Sequence, residues 1–245
     1  MNSLPTANPS PVAQPHSVSA VIFNLQGILL ADSKIQRQVT EELLQNWGIV
    51  LKPGEYRQVC LGRSDYEGLW AILERRGRAV NEQVVAELVR RKQHLYRERI
   101  TRALPPMPGA HTCLEQVRQR GLLCALVSSL PQVDGEWILT QLGYRDYFSA
   151  VVYAADQPAD QLERGSYDLV CRRLPGNLDP WSCLVIESTY AGILAAQSLG
   201  MLVLALPSSV PFHMLQRRAD WVVDRLDQID WEELFTPLGS KRLVT

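Results

Sequence analysis

Five short apolar runs, each ending at a glycine or a polar residue, constrain the fold of this chain more than any other feature. The first covers residues 18–25, and Gly27 follows two residues after its end. The other four come much later, and stretches with helical periodicity lie between them: 122–128, 150–153, 183–187 and 202–206. Strands that alternate with helices form a parallel sheet covered on both faces. The sequence therefore predicts an α/β fold with a Rossmann-like parallel sheet, and residues 219–224 are a candidate sixth strand at its edge.

About a hundred residues separate the first two runs, and their pattern is helical throughout. Apolar residues recur with a 3.6-residue period at 35–47, 65–76 and 82–103, which predicts an inserted α-helical cap. The proline-rich stretch at 104–109 ends the last of these helices, because proline lacks the amide donor. We therefore place the boundaries as follows: 1–17 a disordered tail, 18–34 and 104–245 the core domain, and 35–103 the helical cap domain.

The composition excludes several classes of function. The formal charge is −1, from 25 basic and 26 acidic residues, so no global field attracts nucleic acid or an anionic membrane. Five cysteines without a paired spacing argue against a disulfide framework or a zinc site. No apolar run reaches the roughly 18 residues of a membrane helix. We expect a cytoplasmic protein that contacts neither nucleic acid nor the membrane interior.

Several segments, in order along the chain, carry a resemblance to a known family. They are IFNLQGILLADS, LPPMPGAHTCLEQVRQRGLLCALVSS, LGYRDYFSAVV, LVIESTYAGILAAQSLGM and ADWVVDRLDQIDWEEL. In these segments the sequence resembles the β-phosphoglucomutase-like, CbbY-like branch of the haloacid dehalogenase superfamily, over residues 18 to about 235. The resemblance implies a Rossmann-like core with a helical cap. It also implies phosphoryl transfer through an aspartyl-phosphate, with Mg²⁺ and a lysine offsetting the charge of the phosphate.

The positions that match the family's chemical groups are largely altered. Asn24 stands at the position of the nucleophile, and its neutral amide is a feeble nucleophile; Gln26 stands at the acid/base position and cannot exchange a proton near neutral pH. Ser128 matches the phosphate-binding hydroxyl. Gln161 matches the lysine, although a shift of three residues would bring Arg164 near that position instead.

The metal-binding acidic pair of the family matches Glu187 and Ser188, which leaves one carboxylate. Mg²⁺ prefers charged oxygen ligands, so we expect Mg²⁺ binding to be weak or lost, with Glu187 as a residue of the former site and no cofactor. Together these positions predict a pseudo-enzyme with degenerate motifs. A plainer interpretation is that Asn24 and Gln26 hydrogen-bond the loop backbone and that Glu187 orients its own loop.

Two further groups of residues are candidates for binding. Ser128 and Ser129 are weak candidates for contact with a small anionic ligand, and capping of the next helix is the alternative. Arginines of the cap are candidates for contact with a partner protein, and a solvated helix face is the alternative: Arg75, Arg76, Arg90 and Arg91. The leading hypothesis is a catalytically inactive binding, regulatory or assembly protein. The alternatives are a low-activity Mg²⁺-dependent phosphatase or phosphomutase acting on a small phosphate ester, and a small-ligand sensor that uses the cleft between cap and core.

Overall fold

The protein is described by a computed structural model over residues 18–60, 63–156, 164–208 and 210–235. The expected tail at 1–17 and the candidate Gln161 lie outside these ranges. The described part contains a six-stranded parallel sheet with the strand order β3-β2-β1-β4-β5-β6. The strands are β1 (Ala20–Asn24), β2 (Leu123–Val127), β3 (Ala150–Val152), β4 (Cys183–Glu187), β5 (Leu202–Ala205) and β6 (Trp221–Val222). The predicted α/β fold is confirmed, and the candidate edge strand is β6.

Alternate side chains of each strand enter different cores. On β1, Val21 and Phe23 pack into one apolar cluster, whereas Ala20 and Ile22 pack into another. Helices cover the sheet on both faces, and they are α5 (Ala110–Gln119), α6 (Gln132–Leu142), α7 (Arg164–Arg173), α8 (Tyr190–Ser198), α9 (Phe212–Leu215) and α10 (Trp231–Phe235). A strand buried on both faces needs apolar residues throughout, which explains the continuous apolar runs of the sequence.

The segment between β1 and α5 is helical, as predicted. Its helices are α1 (Ser33–Gln45), α2 (Glu55–Val59), α3 (Asp65–Arg75) and α4 (Glu82–Arg102). They enclose an apolar cluster of their own, which includes Leu44, Ile72 and Leu88. We call this segment the cap and the remainder the core; the exact domain boundaries given above stay a prediction. Among the described helices, none has the length and apolarity that crossing a membrane requires.

The register of the central strands determines which residues meet at the carboxyl edge of the sheet. Asn24 pairs with Val127 on one side, and Phe23 pairs with Ile186 on the other. The residues that end β1, β2 and β4 are therefore neighbours. Ligands of parallel α/β sheets bind beyond this edge.

Candidate active site

The side chain of Asn24 connects the ends of two strands. Its Nδ2 donates a hydrogen bond of 2.5 Å to Oε1 of Glu187. Its Oδ1 accepts a hydrogen bond of 3.2 Å from the backbone N–H of Gln26. The structure therefore brings together three of the positions that the sequence singled out, and the plainer interpretation of Asn24 as a loop-stabilising amide describes part of what it does.

Glu187 is the acidic group at the centre of this edge, and it is 1% exposed. Its Oε2 accepts hydrogen bonds from the backbone N–H groups of Ser188 and, at 2.6 Å, of Thr189. Burial raises the pKa of the Glu187 carboxyl, while the hydrogen bonds from Asn24, Thr189 and Ser188 oppose that rise. Within the described ranges, no lysine or arginine forms an ion pair with Glu187. Its charge is thus stabilised by dipoles alone.

The two serines after β2 form the neighbouring side of the site. Ser128 is 1% exposed, and its Oγ accepts a hydrogen bond of 3.1 Å from the N–H of Leu130. Ser129 is exposed, and its Oγ donates a hydrogen bond of 2.8 Å to Oε1 of Gln26. Helix α6 has Pro131 at its N-cap and no side-chain cap. Neither serine caps that helix, and both remain candidates for ligand contact.

Two buried hydroxyls of the site have unused hydrogen-bonding capacity. Ser188 Oγ and Ser208 Oγ have no hydrogen-bond partner among the described residues. Both hydroxyl groups lie beside Gly27, where an added Cβ would be 2.5 Å from Ser188 Oγ and 3.0 Å from Ser208 Oγ. Gly27 also has a φ of +78°, which disfavours residues with a side chain. A buried hydroxyl without a partner costs free energy, so this corner favours a bound polar group.

A cleft of about 350 Å³ lies between this edge of the core and the cap. Core residues on one side include Asn24, Ser128 and Glu187, and cap residues on the other include Lys92 and Tyr96. A cavity of this size suits a small molecule.

The cap contributes a lysine that the sequence analysis did not select. Lys92 is 4% exposed; its Nζ donates a hydrogen bond of 3.0 Å to Gln36 and forms an ion pair with Asp65. For the basic residues of this helix we considered only a contact with a partner protein or a solvated face. A usable signal was present, because Leu88, Lys92 and Tyr96 follow one another at intervals of four and therefore share one face of α4.

A buried carboxyl group links the cap to the start of the cleft. Asp32 is 1% exposed and accepts hydrogen bonds from Tyr96 at 2.8 Å and from Gln36 at 3.2 Å. Burial raises the pKa of Asp32, and the hydrogen bonds from Tyr96 and Gln36 oppose this rise. The cap side of the cleft is thus a connected network of polar groups, which suits a ligand with several hydroxyl groups.

The candidate arginines of the cap differ in how they are engaged. Arg90 and Arg91 are exposed and both pair with Glu87 on the same helix. Arg75 is exposed. Arg76 makes two hydrogen bonds of 2.7 Å to Glu55 inside the cap, so its guanidinium is already occupied. Arg164, the alternative to Gln161, is exposed at the start of α7. The role of these arginines in partner binding stays a prediction.

A sheet with this strand order, a helical cap after its first strand and a cleft at its carboxyl edge define a protein of the haloacid dehalogenase type. The chain belongs to the family of haloacid dehalogenase-like hydrolases, which matches residues 16–200. It is 26% identical to a phosphorylated carbohydrates phosphatase of Thermotoga maritima over 190 residues, 75% of this chain and 82% of that protein. It is 25% identical to hexitol phosphatase B of Escherichia coli over 199 residues, 80% of this chain and 87% of that protein.

Among solved structures, β-phosphoglucomutase from Clostridium difficile has the same fold. It superposes with a TM-score of 0.76 at 23% sequence identity, over 89% of this chain and 95% of that one. The predicted resemblance to this branch of the family is confirmed at the level of family and fold. The names of the curated relatives support the alternative of a phosphatase better than that of a binding protein, and the loss of activity stays a prediction.

The expectation that no cofactor is used, with Mg²⁺ binding weak or lost, is wrong. Phosphatases and phosphomutases of this family normally use Mg²⁺. The expectation assumed that one carboxylate is too few to hold Mg²⁺. However, Mg²⁺ keeps several waters and is commonly held by one or two carboxylates together with substrate phosphates. In the described residues no cluster of three or more His, Cys, Asp or Glu could hold a metal ion. The buried Glu187, which has no cationic partner there, nevertheless fits a cation, and Asn24 Oδ1 offers a second oxygen.

Proposed function

We propose that this protein binds a small phosphate ester in the cleft without turning it over. One observation carries the proposal: the residue that ends β1 and faces Glu187 is Asn24, whose side chain is an amide. An amide can hold a phosphate or a metal through its polar atoms, but it is too weak a nucleophile to form a phospho-enzyme. The site can therefore bind the phosphate ester without forming a phospho-enzyme.

Groups on both sides of the cleft support a phosphorylated, polyhydroxylated ligand. On the core side, the hydroxyls of Ser129 and Ser188 could donate to phosphate oxygens, and Ser128 is placed beside them. On the cap side, Lys92 offers a nearly buried positive charge, which is worth more to an anion there than at the surface. Gln36 and Asp65 offer partners for hydroxyl groups. The names of the two curated relatives, a carbohydrate phosphatase and a hexitol phosphatase, agree with this ligand class.

Mg²⁺ would be held by Glu187 and by Oδ1 of Asn24. When bound, it supplies positive charge that offsets the charge of the phosphate. The surrounding residues keep these oxygens in place: Thr189 and Ser188 orient the carboxylate through their N–H groups, and Gln26 orients the amide through its N–H.

The second candidate is a low-activity Mg²⁺-dependent phosphatase or phosphomutase acting on the same class of ester. The names of the relatives favour it. The two candidates differ in turnover and share the cleft. A third proposal, a binding or assembly protein that acts through the cap arginines, does not require the cleft at all.

The test measures binding and turnover on the same preparation. Calorimetry with hexose and hexitol phosphates in millimolar Mg²⁺ should detect binding. Lys92→Met should weaken it at least about tenfold, or about 1.4 kcal/mol, while Arg90→Met on the exposed face of α4 should not. Phosphate release should fall far below about one per second, the lower end of typical turnover numbers. A faster rate that is lost in Glu187→Gln would establish the phosphatase instead, and the absence of binding by every ester would overturn both candidates.

A further inference from the structure

A second concavity lies on the core, away from the cleft. Helix α8 forms one wall with Tyr190, Leu194 and Gln197, and the segment around α9 forms the other. Its volume is about 840 Å³, and the lining of the second wall is His213, Met214, Gln216, Arg217 and Arg218. None of these residues lines the cleft described above. We call this concavity the α8–α9 groove.

Two large apolar side chains are exposed in the α8–α9 groove. Leu194 is 53% exposed and Met214 is 44% exposed. The neighbours of Leu194 on α8, Ile193 and Ala195, are buried in the core, so the helix already packs against the sheet without Leu194. A single exposed leucine is ordinary. Two such side chains from different elements line one concavity beside Tyr190, and together they offer an apolar contact to a partner.

The charge around this patch has one sign. Arg217 and Arg218 lie on its rim with His213, and no Asp or Glu belongs to its described lining. The guanidinium of Arg218 lies 4.7 Å from the centroid of the Tyr190 ring. Twelve other arginines of the described residues form ion pairs, and within the same ranges Arg217 and Arg218 form none. The groove therefore has basic groups whose charge is not balanced within the described fold.

We infer that the α8–α9 groove binds an acidic amphipathic helix of a partner protein. Leucine-like side chains one turn apart would contact Leu194, Met214 and Tyr190, and carboxylates on the flanks of the helix would pair with Arg217 and Arg218. Helix-in-groove recognition uses this combination of apolar anchors and complementary charge. The whole chain carries a formal charge of only −1, so the attraction is a local property of the groove. This inference does not depend on the ligand of the cleft.

The probe is a fluorescein-labelled amphipathic peptide with leucines on one face and glutamates on the other, compared with a scrambled peptide of equal charge. With the full chain, anisotropy should show binding of the first peptide that weakens as salt rises. Leu194→Gln combined with Met214→Gln should reduce affinity at least about tenfold. Arg217→Glu should reduce both the affinity and its salt dependence. Val50→Gln, which alters an exposed apolar residue of the cap, should have no effect.

Other results would overturn the inference. Equal binding of both peptides would mean that charge alone acts, and unchanged binding by the Leu194 and Met214 variant would place the contact elsewhere. Self-association in sedimentation velocity that this variant abolishes would identify a second copy of the chain as the occupant. Binding to phosphatidylserine vesicles without binding to the peptide would identify a membrane surface. An unchanged melting temperature in each variant ensures that lost binding does not reflect misfolding.

Discussion

Asn24 differs from an aspartate by one group, and this group changes both the chemistry and the electrostatics of the site. The NH₂ donates to Glu187 at 2.5 Å, where an aspartate would place a second carboxylate against a buried one. Two carboxylates at that distance cannot both be ionised without a cation between them. The amide therefore stabilises the protein without bound metal, and in the function proposed above it also leaves the site without a nucleophile.

Asn24→Asp tests this account through stability. Without metal, the variant should melt about 5 °C lower or more at pH 7, because a buried pair of carboxylates is uncompensated. Burial already raises the pKa of Glu187 in the folded state, and a second carboxylate raises it further. The folded state then favours the protonated form, so stability falls as pH rises from the ordinary value of 4.5 through the raised one.

Millimolar Mg²⁺ should restore much of the lost melting temperature of Asn24→Asp, because it binds the folded state preferentially. Differential scanning calorimetry across pH, with and without Mg²⁺, measures both effects. The matched control is Asn81→Asp, at the exposed N-cap of α4, where the side-chain oxygen still accepts from the N–H of Val84. A variant that responds to Mg²⁺ no more than this control would contradict the role given to Asn24.

The ion pair of Glu55 with Arg76 predicts the opposite dependence of stability on pH. Its hydrogen bonds to Arg76 lower the pKa of the Glu55 carboxyl to about 2, so the folded state favours the ionised form. The ion pair should contribute stability above the ordinary pKa of 4.5 and lose it as pH falls toward 2. Glu55→Gln should therefore melt at a lower temperature than the parent at pH 7. This difference in melting temperature should narrow as the pH falls from 4.5 toward 2. A difference that is constant with pH would show that Arg76 is not tied to Glu55 in solution and is available to a partner.

The junction between β4 and α8 has no room for a side chain at Gly192. A Cβ on Gly192 would lie 2.2 Å from Oε1 of Glu187. Gly to Ala inside a helix normally stabilises by about 1 kcal/mol. At this position Gly192→Ala should instead destabilise the protein by about 2 kcal/mol through overpacking. By displacing Glu187, the substitution should also reduce the rise in melting temperature that Mg²⁺ and phosphate esters cause. Urea unfolding measures the first effect and ligand-induced thermal shifts the second.

The control for Gly192→Ala is Ser198→Ala, an exposed change at the end of the same helix, which should alter neither property. A stabilised Gly192→Ala protein would mean that Glu187 is free to move away from α8.

The sequence predicted most elements because their patterns are local. Helix α4 was expected at 82–103 and is observed at Glu82–Arg102, since a long amphipathic period is a strong signal. The five-residue helix α2 was missed, because it spans little more than one turn and offers no period to detect. The positions Asn24, Gln26, Ser128 and Glu187 followed from the ends of apolar runs. Lys92 was not selected: its spacing places it on a buried face of α4, but its contacts with Gln36 and Asp65 depend on how α4 packs against α1 and α3, which no local pattern specifies.

The shape of the cleft depends on how the cap packs against the core. The cap has its own apolar cluster, and Val39 and Ile100 of the cap also pack into the apolar cluster of the core. Polar contacts between cap and core add to this packing. One of them joins α4 to the first turn of α6, where Arg97 Nε lies 2.6 Å from Oδ1 of Asp134. This ion pair lies near Ser129 and Pro131, which line the cleft. We therefore expect a movement of the cap over a ligand to affect the loop that follows β2.

Asp134→Asn should loosen this contact without unfolding either part. The side chain of Arg97 is 53% exposed, so it can be hydrated once its partner is neutral, and the melting temperature should change little. Hydrogen exchange should become faster at the C-terminal end of α4 and at the start of α6, and a bound phosphate ester should reverse the change because it bridges cap and core. Glu136→Gln, which breaks an ion pair with Arg145 inside the core, is the matched control and should leave exchange in α4 unaltered. If Asp134→Asn also leaves α4 unaltered, the cap is held by its apolar contacts alone, and affinity for the ester should then be independent of this ion pair.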